Sequence, residues 1–197
     1  MSETRRTQIV EAAVRLCLRA GFDATSVEAI AREAGLAKGT VYLYFASKEA
    51  LLEEAVRRYS LVPAMAGLSA ELAERPFEES IPIIARELWR RLKGNAPLVG
   101  LLMQELPRRP DLARAFVESA VLPTNRLFAA LLERGIAAGQ LRRLDPFVAA
   151  RALVGMLMIF LLTQEVFGGR ELAPIADDAI TDTAAELFLR GALRPRS

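Results

Sequence analysis

The chain has 197 residues, 52% hydrophobic and 25% charged, which is typical of a globular protein with a sizeable core. It has no histidine, so the commonest general base and metal ligand are missing, and its single cysteine excludes an internal disulfide. Because the net charge is only +2, any affinity for nucleic acid must come from a local patch. We expect no enzymatic activity, no metal site and no cofactor.

The first predicted helix ends at Gly21 and carries its apolar residues on one face. Cys17 lies on this face, so we expect a small core residue and not a redox sensor. Arg5 and Arg6 are expected to precede the helix as an arm. There they would reach DNA phosphates or a minor groove, the alternative being ordinary solvated charges.

Residues 25–48 have the pattern of two short helices on a tight turn, followed by the start of a third helix. Thr25 and Glu28 have the spacing of a capping box. Gly35 stands where a helix commonly ends in a left-handed residue, and the next helix, 38–45, is predicted to point Val41 and Phe45 inward. Together these features form a helix-turn-helix.

The other side of helix 38–45 is suited to DNA, since no acid occurs between Gly35 and Lys48. Gly39 costs a short helix about 1 kcal/mol relative to alanine, and close approach of its backbone to DNA is the expected reason. Ser47 is predicted to cap the next helix, whose N-terminus with Lys48 would bind a phosphate. The alternative is an ordinary helical hairpin with its aromatic residues packed inside.

The run A-x-x-x-G-x-x-K-G-T-V-Y-x-Y-F-x-S-K-E-x-L, from Ala31 to Leu51, resembles the DNA-binding domain of the TetR family of bacterial transcriptional regulators. The pattern R-x-x-I-V-E-A-A-x-x-L within residues 5–21 resembles the family's first helix. Ala37 and Leu43 depart from the family, the first at a capping position and the second where a polar or aromatic residue is common. The predicted DNA-binding residues are Arg5, Thr25, Lys38, Gly39, Thr40, Tyr42, Leu43, Tyr44 and Lys48.

The remainder of the chain is predicted to be helical, giving an all-α fold of about nine helices without strands. The helix that opens at Ser47 is expected to run to Pro63 as a rigid connection. Pro123 is expected to open a long helix that begins at Asp111, and Asp145 to cap a helix from Pro146 to Phe167. We predict a DNA-binding domain at 1–48 and a helical effector-binding and dimerisation domain at 49–197.

Helix 146–167 is apolar almost all round and must be covered on every side. A partner subunit is the expected cover, and the alternative is a monomer with this helix at its centre. The TetR resemblance implies a four-helix dimer interface made by the last two helices of each subunit. The predicted interface residues are Leu153, Gly155, Ile159, Ile180, Ala184, Leu187 and Phe188.

The resemblance also implies a small-molecule pocket among the middle helices. Aromatic residues, methionines and an isolated hydroxyl are typical of a mostly apolar pocket, although plain core packing is the alternative for each. The predicted lining consists of Trp89, Met103, Phe116, Ser119, Phe128 and Met156.

These features predict a dimeric repressor that binds a pseudo-palindromic DNA operator and is released by a small apolar or amphipathic effector. The alternatives are an activator of the same family, or a helical small-molecule-binding protein or enzyme with a vestigial DNA-binding head. The polar N-terminus lacks an apolar segment, and the apolar run 152–162 is shorter than the ~20 residues of a membrane span. We therefore expect a cytoplasmic protein without a membrane partner.

Overall fold

A computed structural model describes residues 2–72 and 75–193, which are helical throughout and contain no strand beyond one isolated bridge between Leu141 and Leu193. The α-helices are α1 Glu3–Ala20, α2 Val27–Glu33, α3 Lys38–Tyr44, α4 Lys48–Arg58, α5 Val62–Glu71, α6 Phe77–Gly94, α7 Ala96–Glu105, α8 Pro110–Phe116, α9 Leu122–Ala137, α10 Pro146–Phe160, α11 Gly169–Leu172 and α12 Asp177–Ala192.

A π-helical turn at Val117–Val121 joins α8 to α9, and another at Leu161–Val166 extends α10. With α8 and α9 counted as one helix, ten helices longer than four residues lie in the described ranges. This confirms the all-α prediction, with one helix more than expected. The first π turn comes directly before Pro123, which has no N–H to donate to Ser119, so the predicted opening of this helix is confirmed.

Two connections differ from the prediction. The helix that opens after Ser47 does not reach Pro63: α4 ends at Arg58 and α5 begins at Val62. Pro63 lies in the first turn of α5, where a residue without an N–H is favoured, so it starts a helix instead of ending one. At the other end, α1 already begins at Glu3, so the expected arm at Arg5 and Arg6 is the first turn of a helix.

The chain divides into two compact units, which are described separately. The head unit contains the residues up to Ser60 together with Pro97–Ala120, and the second unit contains Leu61–Ala96 and the residues from Val121 onwards. The head unit therefore includes α4, α7 and α8 in addition to the predicted three-helix domain. The boundary predicted at residue 48 concerns function and remains a prediction.

The core of the head unit is built from one apolar face of each helix. Val41 and Phe45 are buried as predicted, and so are four of the inward residues predicted for α1, namely Ile9, Ala12, Ala13 and Cys17. The other two differ, since Leu16 is half-buried and Ala20 is exposed. Burial raises the pKa of the Cys17 thiol. The segment 97–120 contributes Leu98, Leu101, Leu102 and Leu112 to the same core. The buried leucines of α7 thus pack in the core of the head unit.

Glu54 is the charged group that ties α1 to α4 inside this unit. Its buried carboxylate accepts from Arg6 at 3.3 Å, from Arg58 at 3.5 Å and from Arg57. Burial alone would raise the pKa of Glu54, but the three guanidinium groups outweigh it and hold this pKa below the ordinary value of 4.5. The ionised carboxylate is therefore a stabilising group of the folded head.

Glu54→Gln is expected to lower the free energy of unfolding at pH 7 by about 3 kcal/mol, as is typical when one partner of a buried ion pair is removed. Since the folded-state pKa is depressed, the stability that Glu54 contributes is complete above pH 4.5 and is lost as the pH falls through the folded value. Urea unfolding from pH 7 to pH 3 checks this, with the exposed Glu53→Gln as the control. If the wild type and Glu54→Gln differ in their free energy of unfolding by as much at pH 3 as at pH 7, this role of Glu54 is contradicted.

The second unit has its own core, in which α6 packs on α12 and α10 packs on α9 and α12. One face of α6 is buried and consists of Ile81, Ile84, Ala85, Leu88, Trp89 and Leu92. Phe128 of α9 stacks on Phe188 of α12, with ring centroids 6.1 Å apart. Asp145 caps α10 as predicted, accepting from the backbone N–H groups of Phe147 and Val148 at 2.9 and 3.0 Å.

The helix formed by α10 and its π turn presents an uncovered apolar surface. It spans 21 residues with a mean hydropathy of 2.0 over its most apolar window, of which 22% is buried. By length and composition this helix and helix 110–137 are each long enough to cross a membrane. The prediction that this apolar region is too short for a span was therefore wrong, because it counted only residues 152–162.

Candidate nucleic-acid interface

The start of α2 is capped by Ser26 and not by Thr25. The Ser26 hydroxyl accepts from the backbone N–H of Ala29 at 3.1 Å, while the Thr25 hydroxyl donates to the Gly21 carbonyl at 2.8 Å. Thr25 is only 4% exposed. The predicted capping box of Thr25 and Glu28 is therefore not formed, because the cap is Ser26 and the third residue after it is Ala29. The buried Thr25 side chain is also not available to DNA, which contradicts its prediction as a side-chain contact.

The turn between α2 and α3 has the predicted geometry. Gly35 takes the left-handed conformation at φ 66°, and the N–H of Leu36 donates to the Ala31 carbonyl at 2.9 Å, which closes the end of α2. From α1, the side-chain amide of Gln8 donates to the Ala34 carbonyl at 2.7 Å. The end of α2 and the direction of the chain into α3 are thereby fixed.

Two residues anchor α3 to the head unit, as the sequence predicts. Val41 is fully buried, and Phe45 is buried at the end of the helix. Ala37 precedes α3 without a side-chain cap, in line with its departure from the family pattern. The anchored side determines which residues of α3 remain available on the other side.

The available side of α3 consists of Lys38, Gly39, Tyr42 and Leu43. All four are exposed, Tyr42 to 50% and Leu43 to 70%, and together they are here called the recognition face. Thr40 is half-buried at its edge. Tyr44 is also half-buried and packs against the head core, so its predicted outward position is only partly correct.

The head unit itself gives no reason for glycine at position 39. A Cβ atom built on Gly39 would meet no heavy atom within 4 Å, and its backbone is ordinary helix. Alanine would therefore fit and would favour the helix by up to about 1 kcal/mol. A glycine kept against this preference points to an external surface that the backbone approaches.

Lys48 has a different role from the predicted one. Its ammonium donates to the carbonyls of Phe22 at 2.5 Å, Thr25 at 2.9 Å and Asp23 at 3.4 Å, and lies 4.3 Å from the Phe22 ring centroid. These three carbonyls can occupy all three ammonium donors, and the ring adds a cation–π contact. In this structure Lys48 therefore holds the turn between α1 and α2, and its contact to a DNA phosphate stays a prediction.

The two arginines at the start of α1 are separated by their surroundings. Arg6 is bound to Glu54 and lies 4.6 Å over the Phe45 ring. Arg5 is exposed, and no ion pair involves it within the described residues, so it remains available to a phosphate. Lys38 has one weak partner, Glu28, at 3.9 Å between exposed side chains, an interaction worth little in water.

Matches to family models cover most of the chain. The model for bacterial regulatory proteins of the tetR family matches residues 9–55, and the model for the C-terminal domain of AefR-like transcriptional repressors matches residues 93–191. The chain belongs to the TetR family. It therefore carries the helix-turn-helix DNA-binding domain of this family of transcriptional regulators.

Individual relatives agree with this TetR assignment. The transcriptional repressor KstR of Mycobacterium tuberculosis is 30% identical over 137 residues, 69% of this chain and 60% of KstR. A TetR-family regulator from Mesorhizobium loti has a TM-score of 0.84 at 26% identity, covering 98% of this chain and all of that one. The flavonoid-responsive regulator FrrA has a TM-score of 0.71 at 30% identity, with both chains fully covered.

The matches span 44%, 58% and 60% of the lengths of the first three curated relatives, about half of each protein. These relatives and structural neighbours are transcription regulators, not enzymes. TetR-family regulators are also soluble DNA-binding proteins, so the two long apolar helices do not indicate a membrane protein.

The six predicted pocket residues are divided between the two units. Met103, Phe116 and Ser119 belong to the head unit, where the Ser119 hydroxyl donates to the Ala115 carbonyl at 2.6 Å. The residues in the second unit are Trp89, Phe128 and Met156, of which Trp89 and Phe128 are buried. An open groove of about 570 Å³ lies between α5 and α6 in this unit, and none of the six lines it.

The seven predicted interface residues also separate into two groups. Leu153, Ile180, Ala184 and Phe188 are buried within the second unit, so their prediction as interface residues was wrong. Gly155, Ile159 and Leu187 are exposed, the last two to 55% and 59%. The buried four form the intramolecular side of α10 and α12, and only the exposed three can meet a partner.

Gly39→Ala is expected to leave the stability of the protein unchanged or slightly raised, because the added methyl meets no atom of the chain. DNA affinity is expected to fall roughly tenfold, as a methyl group intervenes between the backbone and the groove. Thermal unfolding measures the change in stability, and a DNA-binding titration measures the change in affinity.

Gly67→Ala is the matched control for this change, since Gly67 is helical, exposed and equally open. It should resemble Gly39→Ala in stability and the wild type in DNA affinity. If both variants bind DNA like the wild type, the backbone at Gly39 does not approach DNA.

Proposed function

We propose that this chain is a dimeric repressor that binds a pseudo-palindromic operator and releases it when a small apolar or amphipathic effector binds. The observation that carries the proposal is the recognition face of α3, whose exposed side chains have no strong partner within the described residues. Tyr42 offers a hydroxyl to phosphates or base edges, and Leu43 offers an apolar contact to thymine methyl groups. Arg5 and Thr40 are proposed as flanking contacts.

Repression is supported by the relatives. KstR is named a repressor, and the family model that matches residues 93–191 describes a repressor C-terminal domain. A dimer is the form in which two recognition faces lie about one helical turn of DNA apart. The activator remains the alternative, since the same DNA contacts serve both outcomes.

The dimer is supported by the exposed stripe on α10. Val148, Ala152, Gly155 and Ile159 recur at helical spacing on the side that faces away from the core of the second unit. Leu187 adds an exposed apolar side chain on the neighbouring α12. We propose this stripe as the centre of the interface, with Gly155 allowing two helices to approach closely.

An effector site is proposed in the second unit. FrrA, at 30% identity over the full chain, is named as flavonoid-responsive, which favours a flat, mostly apolar ligand. The buried hydroxyl of Thr124 in α9 has no hydrogen-bond partner among the described residues, and such a group costs about 1–3 kcal/mol. We propose Thr124 as the polar anchor of a lining that includes Phe128 and Met156.

The function is tested by selecting bound sequences from a random duplex DNA pool at two salt concentrations. A two-fold-symmetric site is expected for the wild type, and Tyr42→Ala is expected to weaken binding to it by roughly 1–3 kcal/mol. Tyr59→Ala, at the residue that follows α4 and outside the recognition face, is the control. Salt-sensitive binding without an enriched sequence would contradict a specific operator-binding function.

Ile159→Lys is expected to convert the dimer to a monomer, because it places a charge in the proposed α10 interface. Sedimentation analysis should show half the wild-type mass, and affinity for a full two-half-site operator should fall while binding to a single half-site persists. Leu18→Lys, which charges an exposed leucine of the head unit, should stay dimeric. An unchanged mass for Ile159→Lys would contradict this interface.

A further inference from the structure

The turn between α1 and α2 is held from two sides by cations. Lys48 lies 4.3 Å from the centroid of the Phe22 ring, and the guanidinium of Arg109 lies over the same ring, also at 4.3 Å. Phe22 is 1% exposed, so both cations interact with a ring that is withdrawn from water. Lys48 belongs to α4, but Arg109 belongs to the connection between α7 and α8.

Arg109 also forms hydrogen bonds on both sides of this connection. Its Nε donates to Glu105 at 3.0 Å, and its Nη2 donates to the Asp23 carboxylate in the turn itself. Glu105 is buried, so this pair is shielded from solvent and fixes the guanidinium in place. The guanidinium is planar, so it can bind two carboxylates through separate N–H groups while its face stacks on an aromatic ring, a fixed geometry that a lysine ammonium lacks.

Arg109 and the turn that it contacts belong to different family-model matches. The match to the repressor C-terminal domain covers residues 93–191, which includes Arg109, whereas Asp23 and Phe22 lie within the DNA-binding match at residues 9–55. The segment 97–120 nevertheless packs in the head unit. A part of the regulatory region therefore directly holds the turn from which α2, and then α3, begins.

We propose that Arg109 is a positioning residue for DNA binding, through which the α7–α8 segment sets operator affinity by holding the Phe22–Thr25 turn. Displacement of Arg109 frees Asp23 and one face of Phe22, and the turn then constrains α2 less. The recognition face loses its fixed orientation while its own residues stay unchanged. This inference rests on the proposed operator-binding function.

The test compares Arg109→Ala with Arg108→Ala, a control that removes the same charge from the exposed neighbouring residue. Within residues 2–72 and 75–193, no ion pair involves Arg108. We expect Arg109→Ala to weaken binding to the selected operator by about tenfold or more, the effect of losing hydrogen bonds to charged groups. Hydrogen exchange should accelerate at the Thr25 amide, which donates to the Phe22 carbonyl at 3.2 Å. Arg108→Ala should show neither change.

Two further variants separate positioning from a general loss of structure. Arg109→Lys, which keeps a cation over Phe22 but not the double carboxylate contact, should be intermediate in operator affinity. Asp23→Asn should weaken binding in the wild type and add little to Arg109→Ala, because both act through one contact. Additive losses, or faster exchange with unchanged operator affinity, would overturn the proposal.

The inference about Arg109 can still be tested if the proposed operator-binding function is wrong. If the wild type enriches no DNA sequence, the operator hypothesis is wrong, and the inference is judged on exchange of the Thr25 and Ala29 amides alone. Equal exchange in Arg109→Ala and Arg108→Ala would then overturn it.

Discussion

The ammonium group of Lys48 closes the turn in which the chain leaves α1 and enters α2. Three carbonyls and the Phe22 ring surround it, and the Arg109 guanidinium also lies over that ring. The start of α2 follows directly from this turn, and Gly35 then directs the chain into α3. The turn that leads to the recognition face is thus held by two cations that lie outside that face.

The side chains that form internal contacts differ from those that form the exposed functional surfaces. In the head unit, Arg6, Lys48 and Arg109 are held by internal partners, whereas Arg5 and the recognition face make no strong internal contact in the described ranges. In the second unit, α10 buries Leu153 and Leu157 but leaves Gly155 and Ile159 uncovered. Each exposed surface has the chemistry of its proposed partner, polar and basic for DNA and apolar for a second subunit.

Local signals predicted much of this structure. Gly35 and the Asp145 cap have the predicted roles because each depends on residues a few positions away along the chain. Val41 and Phe45 are buried as their spacing of four residues on one helix face predicts. The predicted capping box is not formed because Thr25 and Ser26 are adjacent hydroxyls, and only tertiary burial of Thr25 decides between them. The roles of Lys48 and Arg109 arise from contacts 23 to 86 residues apart, which spacing does not reveal. The sequence also does not show which side of α10 is buried in the core, because a helix that is apolar all round has no hydrophobic periodicity.

The most direct test of the account is photo-crosslinking to DNA from position 42. Tyr42 is replaced by a photoreactive phenylalanine analogue and the protein is irradiated with the selected duplex. The control is the same replacement at Phe167, a more exposed aromatic residue of the second unit. The account predicts a crosslink to DNA from position 42 and none from position 167. Efficient crosslinking from position 167 with none from position 42 would show that DNA binds elsewhere on the molecule.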